Sequence, residues 1–240
     1  MKIDYKLEEV KPNIFAVVVK DNYDRAMLFC RVQEFYESPN PDFRGKDFNI
    51  WDYIEWYSRE HNNSFTYPSD WSGFNIPLKV AWECYEGKDK PKKRDKYNGV
   101  RSLPDDWKSK WDETMKDIIW SVESRMFYKK SKRNMNAYII GTNNITSWVF
   151  KHEVCHGLWS TNKEYNKTAR QLLDLIDKQD FLIFRKNLLD MGYTDAVVDD
   201  EIHAYLMYGW DSDDFGDGVL LDTRKSYNNM FSEKLEKFVK

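Results

Sequence analysis

The stretch WVFKHEVCHGLW, residues 148–159, carries two of the chain's four histidines, His152 and His156, four residues apart, with Glu153 directly after the first. Imidazole nitrogen is a good ligand for first-row divalent metals, and a carboxylate can serve as ligand or as base. An α-helix advances about 100° per residue, so positions four apart lie about 40° from each other on one face. With His152 at zero, Ile145, Trp148, Val149, Cys155 and Trp159 fall within about 60° either side, on the stripe expected to pack inward. Two imidazoles on such a stripe each need partners for their ring nitrogens. One divalent ion would satisfy both, about 2 Å from each, with Glu153 beside the stripe and able to take a proton from a water. The alternative is a helix that buries two histidines as ordinary core residues.

A second chemical cluster follows in VVDDEIHAYLMYGW, residues 197–210. Val198, Ile202, Leu206 and Gly209 define an apolar stripe, with Glu201, Tyr205 and Tyr208 within about 80° of Val198. His203 lies about 140° away and is expected to face solvent. An inward Glu201 is costly without a cation, which a metal or a neighbouring Lys or Arg would supply. Asp199 is a reserve ligand, and so is Glu164, although a first-turn carboxylate at a helix start accounts for the latter. Cys155 reads as a small core filler.

HEVCH is a full match to H-E-x-x-H and resembles the helix signature of the zincin metallopeptidases. The resemblance implies Zn²⁺ held by His152 and His156, Glu153 as general base, and a peptide or protein substrate. Trp159 and Asn162 occupy the glycine and histidine positions of the extended metzincin signature, which excludes that subgroup. In the gluzincin subgroup the third ligand is a glutamate on a second, downstream helix, and Glu201 resembles it in type and setting. The usual N-E-x-x-x-D of that helix is not reproduced, since Asp200 and Tyr205 stand at its ends. The oxyanion of such a reaction needs a donor besides the metal: Tyr205 and Tyr208, on the Glu201 side of their helix, are expected to supply it ahead of His203, which faces away, and Asp199 or Asp200 would orient a ligand imidazole. NAYIIGT (136–142) resembles the zincin edge strand that pairs with an extended substrate. The likeness spans residues 136–210, and nothing in residues 1–130 resembles a known family.

The elements that must position these residues read as an α+β fold, predominantly helical with a small sheet and a zincin-like catalytic half. IFAVVV (14–19) has the length and β-branched content of a buried strand. Helical periodicity marks residues 22–38, 47–61, a short helix ending at Glu86, and a long helix from about Pro104 to Phe127. NNSFTYPSDWSGFNIP reads as an aromatic loop. Further helices are expected at 145–160, 162–177, 179–191, 194–208 and 224–239. We expect an aromatic-rich N-terminal region of unassigned role at 1–100 and a zincin-like region at 101–240. Seven of the ten tryptophans precede residue 121, and most large aromatics there should be core.

The net charge of −3 argues against nucleic acid as a general partner. The one basic stretch, KDKPKKRDKYNGVR (88–101), reads as a solvated connector. No apolar run is long enough to span a bilayer, so no membrane partner is expected. Three widely spaced cysteines do not make a disulfide framework, and together with the lack of an apolar signal core they suggest a reducing, cytoplasmic setting. Oligomeric state is not encoded in any feature. Against the peptidase stands a non-catalytic binding or assembly protein with a structural or vestigial metal site, kept open by the long aromatic first half.

Overall fold

A computed structural model describes residues 3–86, 107–130 and 136–240. The basic stretch at 88–101 and the expected helix start at Pro104 lie outside the described residues. Among those residues are four strands and eleven helices, a predominantly helical α+β fold. The chain divides into two compact units, Met1–Asn143 and Asn144–Lys240. This division lies well beyond the expected 100/101 boundary, because a strand near residue 140 belongs to the first unit's sheet.

The first unit contains β1 (Lys6–Lys11), β2 (Ile14–Val18), α1 (Asn22–Glu37), α2 (Ile50–Glu60), α3 (Tyr67–Asp70), β3 (Phe74–Pro77), α4 (Leu78–Glu86), α5 (Lys110–Lys130) and β4 (Tyr138–Thr142). Its sheet has the order β1-β2-β4-β3. β2 and β4 pair in parallel, and β1 and β3 flank them antiparallel. Their runs IFAVV and YIIGT are almost wholly buried, as continuous apolar strands should be. β4 is therefore an interior strand with both edges occupied, so it cannot be the substrate-pairing edge expected of NAYIIGT.

The aromatic first half is largely core, as expected. Phe29, Tyr53, Tyr67 and Phe74 are almost fully buried, and ring contacts run on through Phe43, Phe48, Trp56 and Tyr57. Trp51 and Trp120 are exceptions that face solvent. A buried Arg31–Asp112 ion pair, 2.6 Å from Nε to Oδ1, ties α1 to α5, and the Tyr85 hydroxyl donates to the same carboxylate at 2.9 Å. Burial is favourable for such charges only when their hydrogen bonds are met, and here they are.

The second unit is all helical: α6 (Trp148–Thr161), α7 (Lys163–Leu173), α8 (Lys178–Asp190), α9 (Val198–Met207), α10 (Asp213–Gly216) and α11 (Leu221–Val239). Side-chain caps fix the starts of several helices. Ser147 accepts from the Phe150 amide, and Asn162 ends α6 while capping α7 through the Glu164 and Tyr165 amides. Residues His152 to Leu158 are buried without interruption, so α6 is a central helix rather than a one-sided one. Ile145 and Trp148, assigned to its inward stripe, are exposed at its start.

Candidate metal centre

His152 and His156 lie one turn apart on α6, with their Nε2 atoms 3.2 Å from each other. α9 packs against α6 and brings in Glu201 from its first turn. Glu201 Oε2 is 3.7 Å from His152 Nε2, and Oε1 is 3.6 Å from His156 Nε2. The three side chains are buried, and their donor atoms all lie within 4.8 Å of one another. Asp199 and Glu164 stand apart from this group. Asp199 is half exposed and 3.6 Å from Arg170, while Glu164 is exposed and 3.7 Å from Lys237.

The far side of each imidazole fixes what the near side can do. His152 Nδ1 is 2.9 Å from the Tyr208 carbonyl oxygen, and His156 Nδ1 is 2.9 Å from Asp200 Oδ1. Carbonyl and carboxylate oxygens only accept, so both Nδ1 atoms carry the proton and donate it. A neutral imidazole protonated at Nδ1 presents a bare lone pair at Nε2. The two Nε2 atoms thus face one another beside a carboxylate whose Oε2 is buried without a hydrogen-bond partner.

With both rings neutral these groups only accept, so the cluster needs a cation, a proton or a metal ion, among them. The field there is suited to one. Burial disfavours charge on His156, but Glu201 and Asp200 outweigh it and raise the imidazole well above its ordinary range. Burial likewise opposes ionisation of Glu201, yet the two histidines hold its carboxyl below the usual value. Asp200 is raised, chiefly by burial. Two imidazoles and one carboxylate, two of them oriented from behind, fit a divalent metal with three protein ligands.

Glu153 is buried next to His152, and its charge bears on His156, Tyr193 and Tyr205. The Tyr205 ring meets His152 edge-on at 4.8 Å and stacks on Phe215 at 4.7 Å. Burial first, moderated by a hydrogen bond with Tyr193, pushes the Tyr205 hydroxyl up to about 12. Tyr208 is placed differently from expectation. Its hydroxyl donates to Glu236 Oε2 at 2.8 Å, and only its backbone carbonyl serves the histidines. Cys155 is fully buried, as a core filler should be.

Two residues of the site escaped the sequence reading. Tyr193 enters from the α8–α9 loop after Gly192, whose φ of 97° turns the chain, and its hydroxyl bonds to that of Tyr205. A loop residue carries no periodic signal by which to find it. His203, expected in solvent, is fully buried. It stacks on Trp159 at 4.8 Å and meets Tyr165 edge-on at 5.6 Å. The error lies in assuming one apolar stripe, since α6, α7 and α11 all pack on α9.

Comparison with protein-family models, curated proteins and solved structures gave no significant match to the chain.

Proposed function

We propose that the protein is a zinc-dependent metallopeptidase of the H-E-x-x-H kind, gluzincin-like in its third ligand. The observation that carries this reading is the pair of Nε2 atoms, 3.2 Å apart, facing a buried Glu201 carboxylate. His152, His156 and Glu201 would hold the ion. Three protein donors are the number typical of catalytic zinc, where a fourth position is kept for water or substrate. When bound, such an ion acidifies a water and polarises a carbonyl. Glu153 takes the proton of the attacking water and passes it to the leaving amine. Tyr205, against His152, is the hydroxyl best placed to donate to the developing oxyanion, and Tyr193 orients it. Tyr208 is removed from that role by its bond to Glu236. The Tyr208 carbonyl and Asp200 keep the ligand imidazoles in the tautomer that binds metal.

All three cysteines are free and buried, which suits the reducing, cytoplasmic setting expected for the chain. No helix among the described residues is long and apolar enough to cross a membrane.

Elemental analysis of the purified protein beside a His156→Ala variant tests the proposal. We expect about one zinc per chain in the first and none in the second. Folded protein that takes up no zinc when it is offered would return HEVCH to the status of a core helix.

A further inference from the structure

We propose that His203 is a positioning residue for the metal centre. It holds Asp200, and through Asp200 it fixes His156 with Nε2 turned to the ion. The inference rests on the zinc reading above.

His203 is fully buried, and aromatic neighbours set its plane. Trp159 stacks on it with an interplanar angle of 21°, and the Arg170 guanidinium lies 4.5 Å from the Trp159 ring centroid. Tyr165 closes one edge. His203 Nδ1 is 3.3 Å from Asp200 Oδ1, the same oxygen that accepts from His156 Nδ1 at 2.9 Å. Asp200 and His203 are three apart on α9, so both reach one side of that helix. The carboxylate oxygen is thus bracketed by two imidazoles, one bound for the metal and one locked in the core.

Neither ring nitrogen of His203 has a hydrogen-bond partner in the structure, although Nδ1 lies 3.3 Å from the Asp200 carboxylate. A ring of this polarity is unfavourable in a sealed core, where phenylalanine would fill nearly the same volume without the penalty. What histidine adds is an N–H beside the Asp200 carboxylate. The backbone carbonyls of Cys155 and Asp200 also lie near the ring, and the variants below separate the two nitrogens.

Asparagine places an N–H where histidine has Nδ1, and glutamine places one where histidine has Nε2. The test is zinc affinity of wild type, His203→Asn, His203→Gln and His203→Phe, by competition with a chromophoric chelator, with circular dichroism as the check of fold. The Co²⁺-loaded visible spectrum reports ligand geometry alongside. We expect about 10- to 100-fold weaker zinc binding and an altered Co²⁺ spectrum in His203→Gln and His203→Phe, with His203→Asn close to wild type. Should His203→Phe fail to fold, the Asn and Gln pair decides. Equal affinity and spectra in all folded variants, or rescue by Gln and not Asn, overturns the assignment. Wild type that binds no zinc overturns the metal site itself, and this inference with it.

Discussion

Glu153 and Glu201 are both buried glutamates near the same two histidines, yet the geometry gives them different work. Glu201 faces both Nε2 atoms at 3.6–3.7 Å. Glu153 follows His152 on α6 and is not part of the three-donor group. Glu153→Gln should therefore keep zinc at the wild-type ratio while peptide hydrolysis falls by about 10²- to 10⁴-fold, the usual share of a general base. Unchanged turnover in that variant would remove the mechanism. The tyrosines separate in the same way. Tyr205→Phe should lower kcat with little effect on zinc content. Tyr208→Phe should leave kcat alone and cost only about 1–2 kcal/mol of stability, from its lost bond to Glu236. Reversed kinetic effects of the two would show that the oxyanion donor had been misassigned.

At the scale of elements, β4 shows how closely a strand can be fitted. A Cβ built on Gly141 would lie 2.5 Å from Cε2 of Phe29, whose ring stacks on Phe74 at 5.3 Å. Gly141→Ala should cost about 1–3 kcal/mol, measurable by urea unfolding, because the packed ring has no room to retreat. What sequence revealed and concealed also divides by element. β2, α1 and α6 carry strong apolar runs or periodicity and lie within a few residues of their expected bounds, while α5, expected from about Pro104 to Phe127, runs from Lys110 to Lys130. β1, KLEEVK, is a polar edge strand exposed or half-exposed along its length, so no alternation announced it. α3 and β3 hide in an aromatic stretch where core packing, not local pattern, sets the backbone. The candidate metal cluster was legible because His152 and His156 stand at helical spacing on α6 and Glu201 lies beside an apolar stripe on α9. Its supports were not, because the Tyr208 carbonyl, Tyr193 and His203 are placed by tertiary packing.

The molecule as a whole offers a way to keep the two units' energetics apart. Zinc stabilises only what binds it, by about 2.7 kcal/mol when free ion stands at 100 times Kd. Chelation should therefore lower the melting transition of Asn144–Lys240 and leave that of Met1–Asn143 in place. The first unit has its own titrating group in Glu34, buried on α1 among the hydroxyls of Ser38, Tyr67 and Tyr53. Burial raises its carboxyl from 4.5 to about 7, and the neighbouring hydroxyls only moderate the rise. An acid raised on folding favours the native state most when both states are protonated, below about 4.5. That contribution declines as pH climbs and is gone once pH passes about 7, a loss on the order of 3 kcal/mol. Glu34→Gln keeps the shape and removes the charge, so it should stabilise the first unit at pH 8 and flatten its Tm between pH 4.5 and 7. The test is calorimetry of wild type and variant across that range, with metal present to hold the second unit's transition steady. Parallel pH profiles for the two proteins would mean that Glu34 stays ionised in the core, with its hydroxyl partners solvating the charge.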